Sequence, residues 1–320
     1  MADTSLPAAA PAVAALAEAA AGPPVRPGGR GRRIAWAVLT YTLLTLGALV
    51  MVLPFLDMLL GALRTPAERL ARPPVYWPRD PQWGNFVRVF DELPLLRWLA
   101  NSLGVTAAIT VLQILTSAMG GYALAKFHFR GRLGMFRFAV GAQMFPFFIF
   151  LIPWFFILRY FPLVGGNNLL GVGGMGLLGS YAALVLPFAV SWYGIFLMRQ
   201  FFLAIPDELL DAARMDGAGE FYIFFRIALP LVGSGLATLA IFVFLYHWNE
   251  VLWTMTVTRT APDLQTLPVG IYLLRGAFEQ EATKSLQQAA ICVSVLPVLI
   301  VFLALQRYYV ASVTSGSVKG

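Results

Sequence analysis

The stretch "DELLDAARMDGAGEFYIFFRIALPLV" (residues 207–232) sets acids, an arginine, glycines and a proline between two apolar runs. Asp207 and Glu208 follow Pro206 and suit a helix N-terminus, where the helix dipole favours negative charge. Asp207, Asp211 and Arg214 stand at i, i+4 and i+7 and share one face, with Leu209, Leu210 and Ala213 on the other. Gly217 lies where a helix ends on a left-handed residue. A second short helix carrying Phe221, Phe224 and Phe225 then leads into Pro230. The expectation is a helix–turn–helix at the cytoplasmic membrane face, with Ala212 and Ala213 small enough to let another backbone come close.

Other chemistry is sparse. His247 and Glu250 form an H-x-x-E pair, but a metal site needs three or four ligands and the only other histidine is His128, so no metal site is expected. Glu250 is an acid in an apolar run, where acids are costly and face the protein interior or water. With Trp248 and Asn249 it is a candidate for lining a translocation path, the alternative being an interfacial cluster that anchors a span. Gln113 and Gln143 are the remaining path candidates, and each equally suits hydrogen bonding between helices. No nucleophile–base pair lies within the apolar runs, so no catalytic residue is assigned and the chain is not expected to be an enzyme. Lys126, Lys284 and Lys319 are the only lysines and none follows a glycine, so there is no G-x-x-x-x-G-K-[ST] phosphate loop. This chain therefore cannot bind ATP by that route and no cofactor is expected on it; if it takes part in ATP-driven transport, ATP and Mg are bound on a separate polypeptide. A single cysteine, Cys292, rules out an intrachain disulfide.

The elements that position these residues are membrane helices. Of the 320 residues 59% are hydrophobic and only 12% charged, against about 25% charged in a soluble domain. Such a chain cannot cover itself with polar surface, and lipid must cover part of it. The net charge of +7 is scattered between apolar runs, unlike the concentrated basic face that nucleic acid requires. Some 20 apolar residues cross a bilayer, which places spans near 34–63, 98–125, 136–158, 178–198, 229–256 and 286–306. The fold class is all-α, with six transmembrane helices. Arg26 to Arg33, with Lys126, Arg130, Arg132 and Arg137, put both termini in the cytoplasm. Residues 1–33 read as a disordered cytoplasmic tail and 309–320 as a C-terminal one. Residues 64–97 read as an ordered outer loop, 162–180 ("PLVGGNNLLGVGGMGLLGS") as an irregular outer loop, and 257–285 as an outer segment long enough to reach a partner. Pro146, Pro153, Pro187, Pro230 and Pro297 can each kink a span.

The pattern Asp211-Ala212-Ala213, three residues, Gly217, nine residues, Ile227-x-Leu229-Pro230 resembles the EAA loop of ATP-binding-cassette (ABC) importer permeases, with Asp211 in place of the usual glutamate. "NSL" (101–103), "GGYALAKFHFRGR" (120–132), "RQFFLAIPDELLDAARMDGA" (199–218), "HWNE" (247–250), "TLPVGIY" (266–272) and the tail "QRYYVASVTSGSVKG" extend the likeness to the carbohydrate-uptake permeases of the maltose-transporter type. The tail departs slightly from the family's small-residue version, although Gly316, Lys319 and Gly320 match. The resemblance implies a six-span domain over 34–308 with a coupling loop at 199–228. It assigns Asp211, Ala212, Ala213, Gly217, Ile227, Leu229 and Pro230 to docking on an ATPase subunit. It further implies a heterodimer with a second permease chain, two ATPase subunits, an extracytoplasmic solute-binding protein and a carbohydrate-like solute in the cytoplasmic membrane. An ion-coupled secondary transporter is the alternative; it would want buried acids or broken helices at the bilayer centre, and only Glu250 and Asp57 approach that.

Overall fold

The structure, a computed structural model, describes residues 30–277 and 281–317. The expectations for residues 1–29, Lys319 and Gly320 lie outside the described residues. Two compact units divide at Leu56 and Asp57. In the first, helix α1 (Arg30–Leu63) begins at Arg30, so the last residues of the expected tail are helical; its apolar side chains from Ile34 to Leu56 are exposed.

In the second unit the chain passes through α2 (Pro66–Leu70), α3 (Gly84–Glu92) and α4 (Leu95–Lys126). It continues with α5 (Arg132–Ala142), α6 (Phe147–Arg159), α7 (Tyr181–Phe188) and α8 (Trp192–Leu203). Then come α9 (Asp207–Met215), α10 (Glu220–Leu231), α11 (Gly233–Trp248), α12 (Leu252–Val257), α13 (Leu267–Ala277) and α14 (Glu281–Ser317). No strand occurs among the described residues. Stretches 34–63, 95–126 and 284–307 are each long and apolar enough to cross a membrane, and the total reaches six when each bent pair counts as one span.

Three expected spans are broken, each for a local reason. The span expected at 136–158 bends by 95° between α5 and α6. Pro146 sits at the break in an extended conformation (ψ 136°); it lacks an N–H, and its ring pushes the preceding residue out of helix. The span expected at 178–198 bends by 47° after Pro187, restarts where Ser191 Oγ accepts from the Gly194 amide, and runs on to Leu203. The fifth bends by 78° between α10 and α11 and ends at Trp248, with α12 a separate short helix. Pro297, by contrast, lies inside an unbroken α14, which is helical through Ser317 where a tail was expected.

Packing of α4 against α8 depends on small residues. A Cβ at Gly121 would lie 2.7 Å from the Arg199 backbone nitrogen and 2.8 Å from Met198 Cβ, and one at Gly194 would lie 2.2 Å from Ser117 Oγ. In a membrane, where lipid is as apolar as leucine, such close backbone approach is what holds helices together. Around this contact the main core gathers Ile109, Tyr122, Met198, Phe202, Leu210, Phe224, Leu239 and Trp253. A second core joins Leu95, Trp98, Phe244, Trp248 and Leu267 to Leu286, Ala289 and Ala290 of α14.

The Phe-rich run 143–156 divides into exposed and packed rings. Phe145, Phe148 and Phe156 are exposed, while Phe147 packs on Phe188 with ring centroids 5.0 Å apart. The glycine-rich segment 162–180 is closed by its own hydrogen bonds. Asn167 donates to the Arg159 and Phe161 carbonyls (2.9 Å each) and accepts from the Gly174 amide (2.9 Å). Gly165 has φ +59°, and a Cβ there would meet the Gly176 carbonyl oxygen at 1.9 Å.

Candidate functional site

Helix α9 ends as its sequence prescribes. Gly217 takes φ +83°; its amide donates to the Arg214 carbonyl (3.0 Å) and the Ala218 amide to the Ala213 carbonyl (3.0 Å). That pair of bonds is the Schellman closure, which needs a residue without a Cβ penalty in the left-handed region. Nine residues are too few for a helix to persist alone, so α9 is held by what it touches. Leu210 is fully buried in the main core, and Ala213 packs half-buried against it. Asp211, Ala212 and Gly217 are exposed.

The three residues expected on one face divide between two partners. Arg214 Nη1 donates to Asp211 Oδ1 (2.7 Å) and Arg214 Nε to Glu220 Oε1 (2.7 Å). Donating to Glu220, and next to Asp211, raises the Arg214 guanidinium pKa above its ordinary value. Asp207 turns instead to α4, where Lys126 Nζ donates to its Oδ1 (2.6 Å) and to the Ile205 carbonyl (2.6 Å). Hydrogen bonding from that ammonium holds the Asp207 carboxyl below its ordinary value. Beyond α9, residues Ile223–Ala228 of α10 form a π-helix, a wide turn that recurs at functional sites. Ile227 and Leu229 pack half-buried on the main core, and Pro230 is exposed.

The path candidates do not converge. Gln113 is buried; its Nε2 donates to the Phe188 carbonyl (2.7 Å) and lies 3.1 Å from His247 Nε2. Trp248 is buried in the second core, stacked on Phe244, and donates to the Ser294 carbonyl (3.2 Å). Glu250 caps α12: its carboxylate accepts from the amides of Trp253 (2.6 Å) and Thr254 (2.9 Å) and from Thr254 Oγ1 (2.8 Å). His247 and Glu250 therefore do not share a helix. Gln143 and Asn249 are exposed, and each donates to its own helix, at Ala139 (3.3 Å) and Leu245 (2.8 Å). Asp57, the other acid an ion-coupled carrier would need, is exposed and paired with Arg64 at 3.2 Å.

Sequence reasoning passed over a second polar site, at the N-terminal end of α4. Asn101 Nδ2 donates to the carbonyls of Asp263 (2.8 Å) and Gln265 (2.9 Å), and its Oδ1 accepts from Tyr181 (2.8 Å). Ser102 Oγ accepts from the Leu267 amide (2.7 Å), at the start of α13. Arg97 forms an ion pair with Asp263. The only signal was "NSL", whose partners stand 80 to 165 residues away in sequence.

Bent helical spans with an exposed helix–turn–helix between two of them define a polytopic membrane protein. Residues 114–315 match the model of the binding-protein-dependent transport system inner membrane component, and the chain belongs to that family. It is 36% identical to an arabinooligosaccharides transport system permease protein of Halalkalibacterium halodurans, over 87% of this chain and 96% of that one. It is 30% identical to a diacetylchitobiose uptake system permease protein of Streptomyces coelicolor, over 89% of each. A Yersinia pestis sn-glycerol-3-phosphate transport system permease protein is also 30% identical, over 85% of this chain and 94% of that one. The fold matches a chain of the crystal structure of a bacterial ABC transporter involved in the import of the acidic polysaccharide alginate. That match has a TM-score of 0.72 at 25% identity and covers 88% of this chain and 98% of the other. The protein is thus a permease subunit of an ABC importer, a reading favoured over the ion-coupled carrier.

Proposed function

We propose that this permease imports a carbohydrate or closely related solute and that α9 is its coupling helix. The relatives named for arabinooligosaccharides, diacetylchitobiose and glycerol phosphate support a polyhydroxylated solute. In this reading the chain pairs with a different permease subunit. Two ATPase subunits that carry ATP and Mg sit on the cytoplasmic side, where both termini lie, and a solute-binding protein delivers from outside.

The observation that carries the coupling assignment is the division of α9 into a buried side, Leu210 with Ala213, and an exposed one, Asp211, Ala212 and Gly217. The buried side fixes the helix to the core at the root of α10. The exposed side presents a charge, a methyl group and a bare backbone, which together fit a narrow cleft. ATP-driven closure of the ATPases would move α9, and the α10 bend would pass that motion to α11. Gln143 and Asn249, the exposed amides, are the side chains we retain as solute contacts; Gln113, Trp248 and Glu250 shape the walls from within.

Replacing Gly217 with isoleucine puts a β-branched residue at φ +83°, a conformation costing roughly 1–2 kcal/mol even without branching. Uptake into vesicles is expected to be lost while the isolated binding protein still binds solute. Normal uptake in that variant would sink the coupling assignment.

A further inference from the structure

Helix α9 is fastened at both ends to one turn of α4, and neither fastening follows from the family pattern of Asp211 to Pro230. At its start, Lys126 Nζ bonds both the Ile205 carbonyl and Asp207, each at 2.6 Å. The Lys126 side chain is only 4% exposed although Asp207 is 71% exposed, so the ammonium is sunk into the loop and reaches out to its partner. Past the other end, Tyr122 Oη donates to Glu220 Oε2 at 3.4 Å, and Glu220 holds Arg214, which holds Asp211. Tyr122 and Lys126 are four residues apart and so share one face of α4.

Apolar contact alone is a poor fixture for α9, since Leu210 is its one buried side chain. A helix pinned through one leucine can roll about that point. Two polar ties on opposite sides of the pin stop the roll and set where Asp211 points. Tyr122 is itself immobilised, packed edge-on against Phe127 and Phe202 with centroids at 5.6 and 5.3 Å and tilted on Phe224 at 5.2 Å.

We propose that Lys126 and Glu220 are positioning residues that lash the two ends of α9 to α4, so that displacement of α9 is transmitted into α4 as well as through the α10 bend. This rests on α9 being the coupling helix. The consequence is a division of labour: the exposed side of α9 sets how tightly the ATPase docks, and the two lashings set how much of its stroke becomes transport.

The test uses the assembled importer, with its second permease, ATPase subunits and binding protein, in proteoliposomes. The readouts are ATPase co-purification and solute moved per ATP hydrolysed. For Lys126→Met the ATPase is expected to co-purify while solute per ATP falls about tenfold, the scale of one lost charge-assisted hydrogen-bond set. Lys126→Arg, which keeps a cation with several donors, is expected to recover most of the loss. Should Lys126→Met fail to assemble, Asp207→Asn and Glu220→Gln decide; both alter exposed carboxylates, and each is expected to lower the ratio by about twofold to fivefold. An unchanged ratio in Lys126→Met, or in both of the milder variants, overturns the proposal. Failure of the underlying assignment looks different: Gly217→Ile would then keep normal uptake, whatever the lashing variants do.

Discussion

The two ends of α4 are tied to the loops they meet by opposite kinds of chemistry. At the N-terminal end the ties are made chiefly by Asn101 and Ser102, which are buried, neutral and joined mostly to backbone groups. At the C-terminal end they are made by Lys126 and Tyr122 to carboxylates that are themselves exposed. A buried neutral hydrogen bond contributes modestly when made but is costly to leave unmade, and salt does not reach it. An ion pair whose carboxylate is open to solvent contributes less, is screened on that side, and is remade more readily. The first chemistry suits a segment that must stay where it is, the α12–α13 connection. The second suits the loop around α9, which in the proposed coupling role is held in register and still moves. The same helix therefore behaves as an anchor at one end and as a joint at the other.

Breaking the packing between the ends should have the largest effect, because it removes the frame for both. Gly121→Val places methyl groups into backbone and side-chain atoms already within 2.8 Å of the Cβ position. The expected loss is about 3 kcal/mol, the upper range for overpacking, read as a lowered unfolding midpoint in detergent together with poor assembly. An unchanged midpoint would mean that α4 and α8 are less closely apposed than the structure has them. Asn101→Leu should come next. It strands the Asp263 and Gln265 carbonyls and the Tyr181 hydroxyl, at a cost of about 2 kcal/mol. That loss should be the same at low and high salt; a strong salt dependence would erase the contrast between the two ends.

How much of this contrast was legible in the sequence depends on the range of the interactions. Helix α9 and its terminator were readable because Pro206, the acids after it and Gly217 act within one turn of themselves. The bends were half readable. A proline lies at or near each of the three, yet Pro297 sits in an unbroken helix, and a proline's effect depends on whether neighbours can satisfy the freed carbonyl. The π-helix at Ile223–Ala228 has no comparable composition signal. The path candidates were chosen for polarity inside apolar runs, and polarity alone does not say where a side chain points. Glu250 is a path candidate by its charge in an apolar run, yet its partners are two amides and a hydroxyl three and four residues on. Gln113 found His247 across 134 residues, and Lys126 found Asp207 across 81; no local pattern encodes pairings at that range. Lys126 had been read only as a charge that orients the chain.

The smallest effect is also the one that best isolates the joint. Asp207→Asn removes the carboxylate but leaves Lys126 its bond to the Ile205 carbonyl, so the fold should be retained with only a slight drop in the unfolding midpoint. Because the Asp207 carboxyl is exposed, the drop should shrink as ionic strength rises and the Debye length contracts from about 10 Å at 0.1 M to about 3 Å at 1 M. The pH dependence has a definite sign. Lys126 lowers the folded pKa of Asp207, so the pair contributes fully above the ordinary aspartate value of about 3.9. That contribution is lost as pH falls through the lowered folded value. Wild type and Asp207→Asn should therefore differ at neutral pH and low salt, and converge either in high salt or in strong acid. A difference that survives both treatments would make the C-terminal tie as rigid as the Asn101 one, and α4 would then be anchored at both ends.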